Sequence, residues 1–325
     1  MFPYIEGVSP VDDQTTLPQK SEESVFRRQY EDSTYQWLPA EFAVDAEGSV
    51  KIQTYINNLE EAPNEDLYRA IELMFELFLP MFAKVVFDDM PLCSRTLQVI
   101  VKAANYVIQP AGQTYEGSWH VEGMSHEHIF ATGVYYYSTS PCLNDGGLEF
   151  RRPRDQDTDH PAIMHFSSDM GEELGDNFPQ LDGLQQNINL GAVPMVEDRL
   201  PVFPNSLQHK VSSIVNTSQD QVGTRKIFVF FLVDPRKEMV STKHVPDQQW
   251  ERIMPKQLEL MSLVADRLTG KRIPPVIIHD IVSRAKSGMT MVEARRHRLE
   301  LMKERKYKVD QNNQAWERDY TLCEH

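Results

Sequence analysis

TRKIFVFFLVD, residues 224–234, contains the longest strongly apolar run of the chain, Ile227–Val233. Rich in β-branched and aromatic residues and closed by Asp234-Pro235, it reads as a strand. The run is far shorter than the roughly 20 apolar residues that span a bilayer. Upstream, LQVIVKAANYVI (97–108), SWHVEG (118–123), HIFATGVYYYS (128–138) and GLEFRR (147–152) read as strands too. So do INLGAVPMV (188–196), RLPVF (199–203) and QHKVSSI (208–214), while Asn144-Asp145-Gly146-Gly147 is a turn signal. Strands this closely spaced predict a sandwich or barrel.

The flanks differ. Residues 1–60 are polar and read as an irregular arm that packs through Phe26, Tyr30, Tyr35 and Trp37. Leu67, Ile71, Met74, Phe75 and Phe78 follow helix spacing, with Asn64 as cap and Pro80 as the end or kink; a second helical stretch follows over Phe82–Phe87. After Pro235, helices are expected over Trp250–Leu268, with Pro255 delaying the start, and over Thr290–Lys306, where Thr290 and Glu293 form a capping box. The basic run Arg295, Arg296, Arg298, Lys303 and Arg305 reads as a solvated helix face rather than a partner contact. The chain thus divides into an arm with helices (1–96), a β core (97–235) and a helical extension (236–325). Within the core, the polar insertion at 153–186 reads equally as a lid or a surface loop.

Hydrophobic residues make up 41% of the chain, enough for a sizeable core, and the formal charge is −15. An acidic surface repels phosphate backbones and argues against a nucleic-acid partner. Cys93, Cys142 and Cys323 are odd in number and widely spaced, which fits a reduced, cytoplasmic setting. No membrane anchor or secretory signal is expected from MFPYIEGVSP.

His120 and Glu122 are two residues apart on an expected strand, so both project from one face. With His209 they form a set of two imidazoles and one carboxylate, which can hold one face of Fe(II) and leave three positions open. The bland alternatives are a hydrogen-bonded core histidine beside a surface glutamate, and a turn histidine at 209. Arg225, at the edge of the most apolar strand, is costly to bury unless it meets an anion. Its guanidinium can grip a carboxylate through two parallel hydrogen bonds.

In this order, H-x-E, the Gly-Gly-Leu-Glu-Phe strand, RLPVFPN ahead of His209, and Arg225 before an apolar strand resemble the Fe(II)- and 2-oxoglutarate-dependent oxygenases, especially the prolyl-hydroxylase type. The stretches from VIVKAANYVIQP to TRKIFVFFLVDP, and on into the helical part, also resemble uncharacterised fungal and microbial proteins grouped as a domain of unknown function. The oxygenase resemblance implies an α+β fold, mainly β: a double-stranded β-helix, or jelly roll, flanked by N- and C-terminal helices. It implies Fe(II) on His120, Glu122 and His209, with Arg225, Tyr136 and Thr132 binding 2-oxoglutarate. The expected activity is hydroxylation or oxidative dealkylation of a small molecule by O2, with release of succinate and CO2. The carboxylate ligand departs from the usual aspartate, and the longer gap between His209 and Arg225, filled by VNTSQDQVG, calls for an inserted hairpin.

Several residues compete for these roles. His126 and His128 form an H-x-H pair without the carboxylate of a cupin motif, although His126 remains a candidate for the substrate entrance. Lys102 is a rival cosubstrate anchor that Arg225 makes redundant; Tyr115 and Trp119 are further candidates near the site, with Trp119 turned away if its strand is regular. Alternative readings are a cupin-type metal enzyme without 2-oxoglutarate, a protein or peptide hydroxylase, and a non-catalytic jelly-roll binding protein.

Overall fold

The run at Ile227–Val233 lies in the strand that joins the two halves of the core. The computed structural model describes residues 33–86, 90–145, 147–154 and 186–317, and the described residues from Tyr35 onward form one compact unit. Its strands are β1 (Ala40–Val44), β2 (Val50–Ile52), β3 (Arg95–Ile108), β4 (Thr114–Tyr115), β5 (Ile129–Thr139) and β6 (Leu143–Asp145). They continue with β7 (Leu148–Pro153), β8 (Asn187–Val193), β9 (Val202–Pro204), β10 (Gln208–Val211), β11 (Ile214–Asn216) and β12 (Gly223–Val233). The helices are α1 (Glu65–Val85), α2 (Trp250–Thr269), α3 (Pro275–Arg284) and α4 (Met291–Trp316). The fold is α+β, with one sheet in the order β2-β1-β3-β12-β5-β9 and two smaller sheets, β10-β7-β8 and β4-β11-β6. The paired strands run antiparallel.

β12 is central, paired with β3 on one side and β5 on the other. Period two sends Phe228, Phe230 and Leu232 to one face and Ile227, Val229, Phe231 and Val233 to the other. The first face meets α1, whose Ile71, Phe75, Phe78 and Phe82 are fully buried. Phe230 makes edge contacts with Phe75 (5.2 Å) and Phe78 (5.3 Å). Gly133 on β5 permits this approach, since a Cβ there would lie 2.6 Å from the Phe78 ring. On the second, inner face, Phe203 projects from β9 of the same sheet, and Leu148 and Phe150 of β7 close over it.

Several expectations change. α1 runs through Pro80 to Val85 as one helix, because the buried Leu79 and Phe82 around that proline hold it against the sheet. Asn64 precedes α1 without a side-chain capping bond. The arm contains β1 and β2, too short for a period to stand out, and α2 begins at Trp250 with Pro255 in its first turns. α3 starts at Pro275, where a missing N–H costs nothing. α4 opens on the expected Thr290–Glu293 capping box and extends to Trp316.

Residues 118–123 do not form a regular strand. His120 makes an isolated antiparallel bridge to His209, and Gly123 at φ +71° turns the chain out of extended geometry. QHKVSSI splits after β10, and part of VNTSQDQVG enters β11, which pairs with β4 and β6 instead of forming a hairpin. Phe26, Tyr30, Cys323 and most of the proposed 153–186 lid lie outside the described residues.

Phe230→Ala should lower the unfolding free energy by about 3–5 kcal/mol in urea denaturation. A loss below about 1 kcal/mol would show that the α1–β12 contact is not central to the core.

Candidate metal centre

β10 sends alternate residues to opposite faces. Gln208 and Lys210 stand opposite Arg151 and Glu149, while His209 stands opposite Phe150. The His209 ring therefore enters the inner core, 4.8 Å from Phe203 and 6.3 Å from Phe150 between centroids. The backbones of His120 and His209 exchange both hydrogen bonds, at 3.1 and 2.9 Å, and bring their imidazoles to 4.4 Å.

Glu122 is held from the turn after β9. Asn205 Oδ1 accepts from the Glu122 N–H (2.8 Å), and Asn205 Nδ2 donates to the carbonyls of Glu122 (2.9 Å) and Ile129 (3.1 Å). Glu122 Oε1 then lies 3.8 Å from His120 Nε2 and 3.5 Å from His209 Nε2. One ligand atom from each residue lies within 4.8 Å of the other two, the one such group of three among the described residues.

The protonation pattern suits a cation. His120 Nδ1 lies 2.7 Å from Ser118 O; a carbonyl only accepts, so Nδ1 carries the proton and Nε2 keeps its lone pair. Burial, and then the charge of His209, push His120 below the usual imidazole range, against the pull of Glu122 and Ser118. Burial opposes ionisation of Glu122, but Lys102, a hydrogen bond from His209 and the two imidazoles hold its carboxyl well below the usual carboxylate range. Ligand atoms about 2.0–2.2 Å from one ion are separated by roughly 3–4 Å. The distances of 3.5 and 3.8 Å meet that requirement, and two imidazoles with one carboxylate suit a divalent transition metal. His209 Nδ1 is buried with no hydrogen-bond partner among the described residues, so apart from the contact of Nε2 with Glu122 that ring is held by packing.

Arg225 lies on the same inner face and is only 2% exposed. It stands opposite Tyr106 of β3 and Thr139 of β5, with its guanidinium 5.7 Å from the Tyr136 ring centre. The register decides among the three adjacent tyrosines: Tyr136 faces inward opposite Ile227, Tyr135 bonds Asp198 at 2.9 Å on the other side, and Tyr137 is exposed. Thr132, opposite Phe231, shares the inner face, and its buried Oγ1 has no hydrogen-bond partner among the described residues.

Two residues escaped the sequence reading. Asn205 entered it only as part of a turn. Tyr106 is raised well above the usual phenol range by burial, then by Tyr115, Tyr136 and Glu122, while Arg225 pulls the other way. It therefore stands within electrostatic reach of both the ligand group and Arg225. Period-two spacing from Lys102 through Ala104 would have found it. Lys102 shares that face, and its charge acts on Glu122.

Other candidates lie apart. His126 Nε2 contacts Tyr35 O at 3.0 Å, and His128 caps the short turn Ser125–Glu127. Trp119 packs between Arg151 (4.5 Å) and Lys210 (5.0 Å), on the side of β10 away from the His209 ring.

A depressed His120 and an ionised Glu122 have no proton to give up to a cation at neutral pH; at these two ligands protons compete only at lower pH, first at His120. Cobalt(II) affinity measured by titration calorimetry should therefore be flat between about pH 7 and 8 and weaken below that. An affinity that climbs roughly tenfold across that unit would contradict this assignment of protons.

Residues 1–91 and 87–255 match a family model described as DUF4246, protein of unknown function. No curated protein and no solved structure matches the chain. His120, Glu122, His209 and Arg225 lie inside the second matched stretch, and α3 and α4 lie beyond it. Since the matches together reach from residue 1 to 255 of 325, the chain belongs to the DUF4246 family.

Proposed function

We propose that this protein is an Fe(II)- and 2-oxoglutarate-dependent oxygenase acting on a small molecule. The observation that carries the reading is the buried Arg225 on the inner face of the larger sheet, the face against which the ring of His209 packs through Phe203. We also read the larger sheet and the β10-β7-β8 sheet, packed through Phe150 and Phe203, as the two walls of a double-stranded β-helix.

In this reading, His120 Nε2, His209 Nε2 and one Glu122 oxygen hold the metal. When bound, Fe(II) with 2-oxoglutarate and O2 supplies the oxidising chemistry: succinate and CO2 are released, and a C–H of the substrate becomes C–OH. Arg225 pairs with the cosubstrate carboxylate remote from the metal. Tyr136 lies against that guanidinium and Tyr106 stands on the side of Arg225 toward Glu122, whereas Thr132, opposite Phe231 and six residues along β12 from Arg225, lies roughly 20 Å away along the strand and is left out of this anion site. Val229, Phe231, Phe150 and Phe203 keep the surroundings apolar and exclude water. A cupin-type enzyme would need the metal ligands alone, and its activity would not depend on Arg225.

Purified protein incubated anaerobically with Fe(II), 2-oxoglutarate and a metabolite library, then exposed to air, should form succinate in step with oxidation of one library member. Arg225→Ala should keep the metal and raise the KM for 2-oxoglutarate about 100-fold, the equivalent of about 3 kcal/mol for a charge-assisted pair. His209→Ala should lose both metal and succinate. Succinate formation that Arg225→Ala leaves unchanged would remove Arg225 from the cosubstrate site, no succinate from the parent protein would remove 2-oxoglutarate from the reading, and metal binding that His209→Ala leaves unchanged would remove the centre itself.

A further inference from the structure

Two of the three candidate ligands sit on a stretch without regular secondary structure. Between Trp119 and the short turn at Ser125–Glu127, one backbone bridge at His120 and the side chain of Asn205 are the ties to the sheets. Both ends of that stretch are fastened to α4. At one end, Asn313 Nδ2 donates to Trp119 O (2.9 Å), while Asn313 Oδ1 accepts from Gln208 Nε2 (3.3 Å) and Arg151 Nη2 (3.4 Å). Trp119 immediately precedes His120, and Gln208 immediately precedes His209. A single amide from α4 thus touches the residue before each histidine, on the side of β10 opposite the His209 ring.

At the other end, Arg305 pairs with Glu127, a carboxylate with no exposed surface. Glu127 also accepts the N–H groups of Trp37 (2.6 Å) and Met124 (2.7 Å). The Arg305 guanidinium lies 3.7 Å from the Trp37 ring centre, and Trp37 stacks on Phe231 of the inner face at 5.4 Å. Arg305 and Asn313 are about 12 Å apart along the helix axis. Earlier in α4, His297 and Glu300 take the Tyr35 hydroxyl.

We propose that α4 is a splint for the ligand-bearing stretch 119–127, with Asn313 and Arg305 as positioning residues for the metal centre. This deepens the metal reading and rests on it. A rigid helix fixed at two points removes the freedom that the irregular stretch would otherwise lose each time a metal binds. Because α4 lies beyond residue 255, where the family match ends, the splint comes from outside the matched part of the chain.

The test compares the full-length protein with Asn313→Asp, Arg305→Met and, as a control on the same helix, Leu299→Ala. Leu299 is 60% exposed. Asn313→Asp keeps size and the acceptor for Gln208 and removes the donor to Trp119. Two readouts are taken: amide hydrogen exchange of the metal-free proteins, and cobalt(II) titration followed by visible absorption. Both positioning variants should exchange faster at residues 117–127 while β12 keeps its protection, and should bind cobalt about tenfold more weakly with an altered spectrum. Leu299→Ala should match the parent in both. Unchanged local exchange and unchanged cobalt affinity in both positioning variants would overturn the splint, and so would acceleration spread evenly over β12, which marks a general loss of stability. A parent protein that binds no cobalt defeats the metal reading and the positioning role with it, while the exchange rates still report whether α4 holds the stretch.

Discussion

β12 is buried on both faces, and this constraint organises the molecule. Phe230 and Leu232 must find apolar partners on one side, and α1 supplies them through Phe75 and Phe78. Val229 and Phe231 must find them on the other, and β7 and β9 supply Phe150 and Phe203. The rings that close the inner core are the same rings that pack against His209. Hydrophobic burial thereby delivers a candidate metal ligand to the inner face at no separate cost in ordering it.

Around that fixed histidine the remaining parts of the centre are held by polar contacts. The mutual backbone bonds of His120 and His209 bring together residues far apart in the chain, and Asn205 aims Glu122 by gripping its backbone on both sides. Arg225 reaches the same face because it stands two residues before Ile227 on β12, which is already paired with β3 from Gly223. The centre thus joins one ligand placed by packing to two placed by hydrogen bonds, the second kind being more sensitive to its surroundings.

The strands that carry the core were legible because their signal is local. β3, β5 and β12 announce themselves by β-branched and aromatic runs, and the candidate ligands and Arg225 stand out as polar groups within or beside them. The H-x-E spacing was read through a regular strand that does not form. Glu122 still reaches both histidines, because Gly123 turns the chain and Asn205 catches it. That arrangement depends on a turn residue some eighty positions away, which no local pattern encodes. Tyr106 was missed although its spacing from Lys102 was visible, since its importance arises only from standing opposite Arg225. α4 was legible as a helix from its capping box, but its docking was not. It attaches through Arg305 and Asn313, and polar contacts leave no periodic trace.

The central claim is that His120, Glu122 and His209 hold one metal ion. Crystals grown anaerobically with Fe(II) and measured on both sides of the iron absorption edge test it most directly. The account expects a single anomalous peak within about 2.2 Å of His120 Nε2, His209 Nε2 and a Glu122 oxygen. Iron bound elsewhere, or no peak among these three side chains at full iron loading, would contradict it.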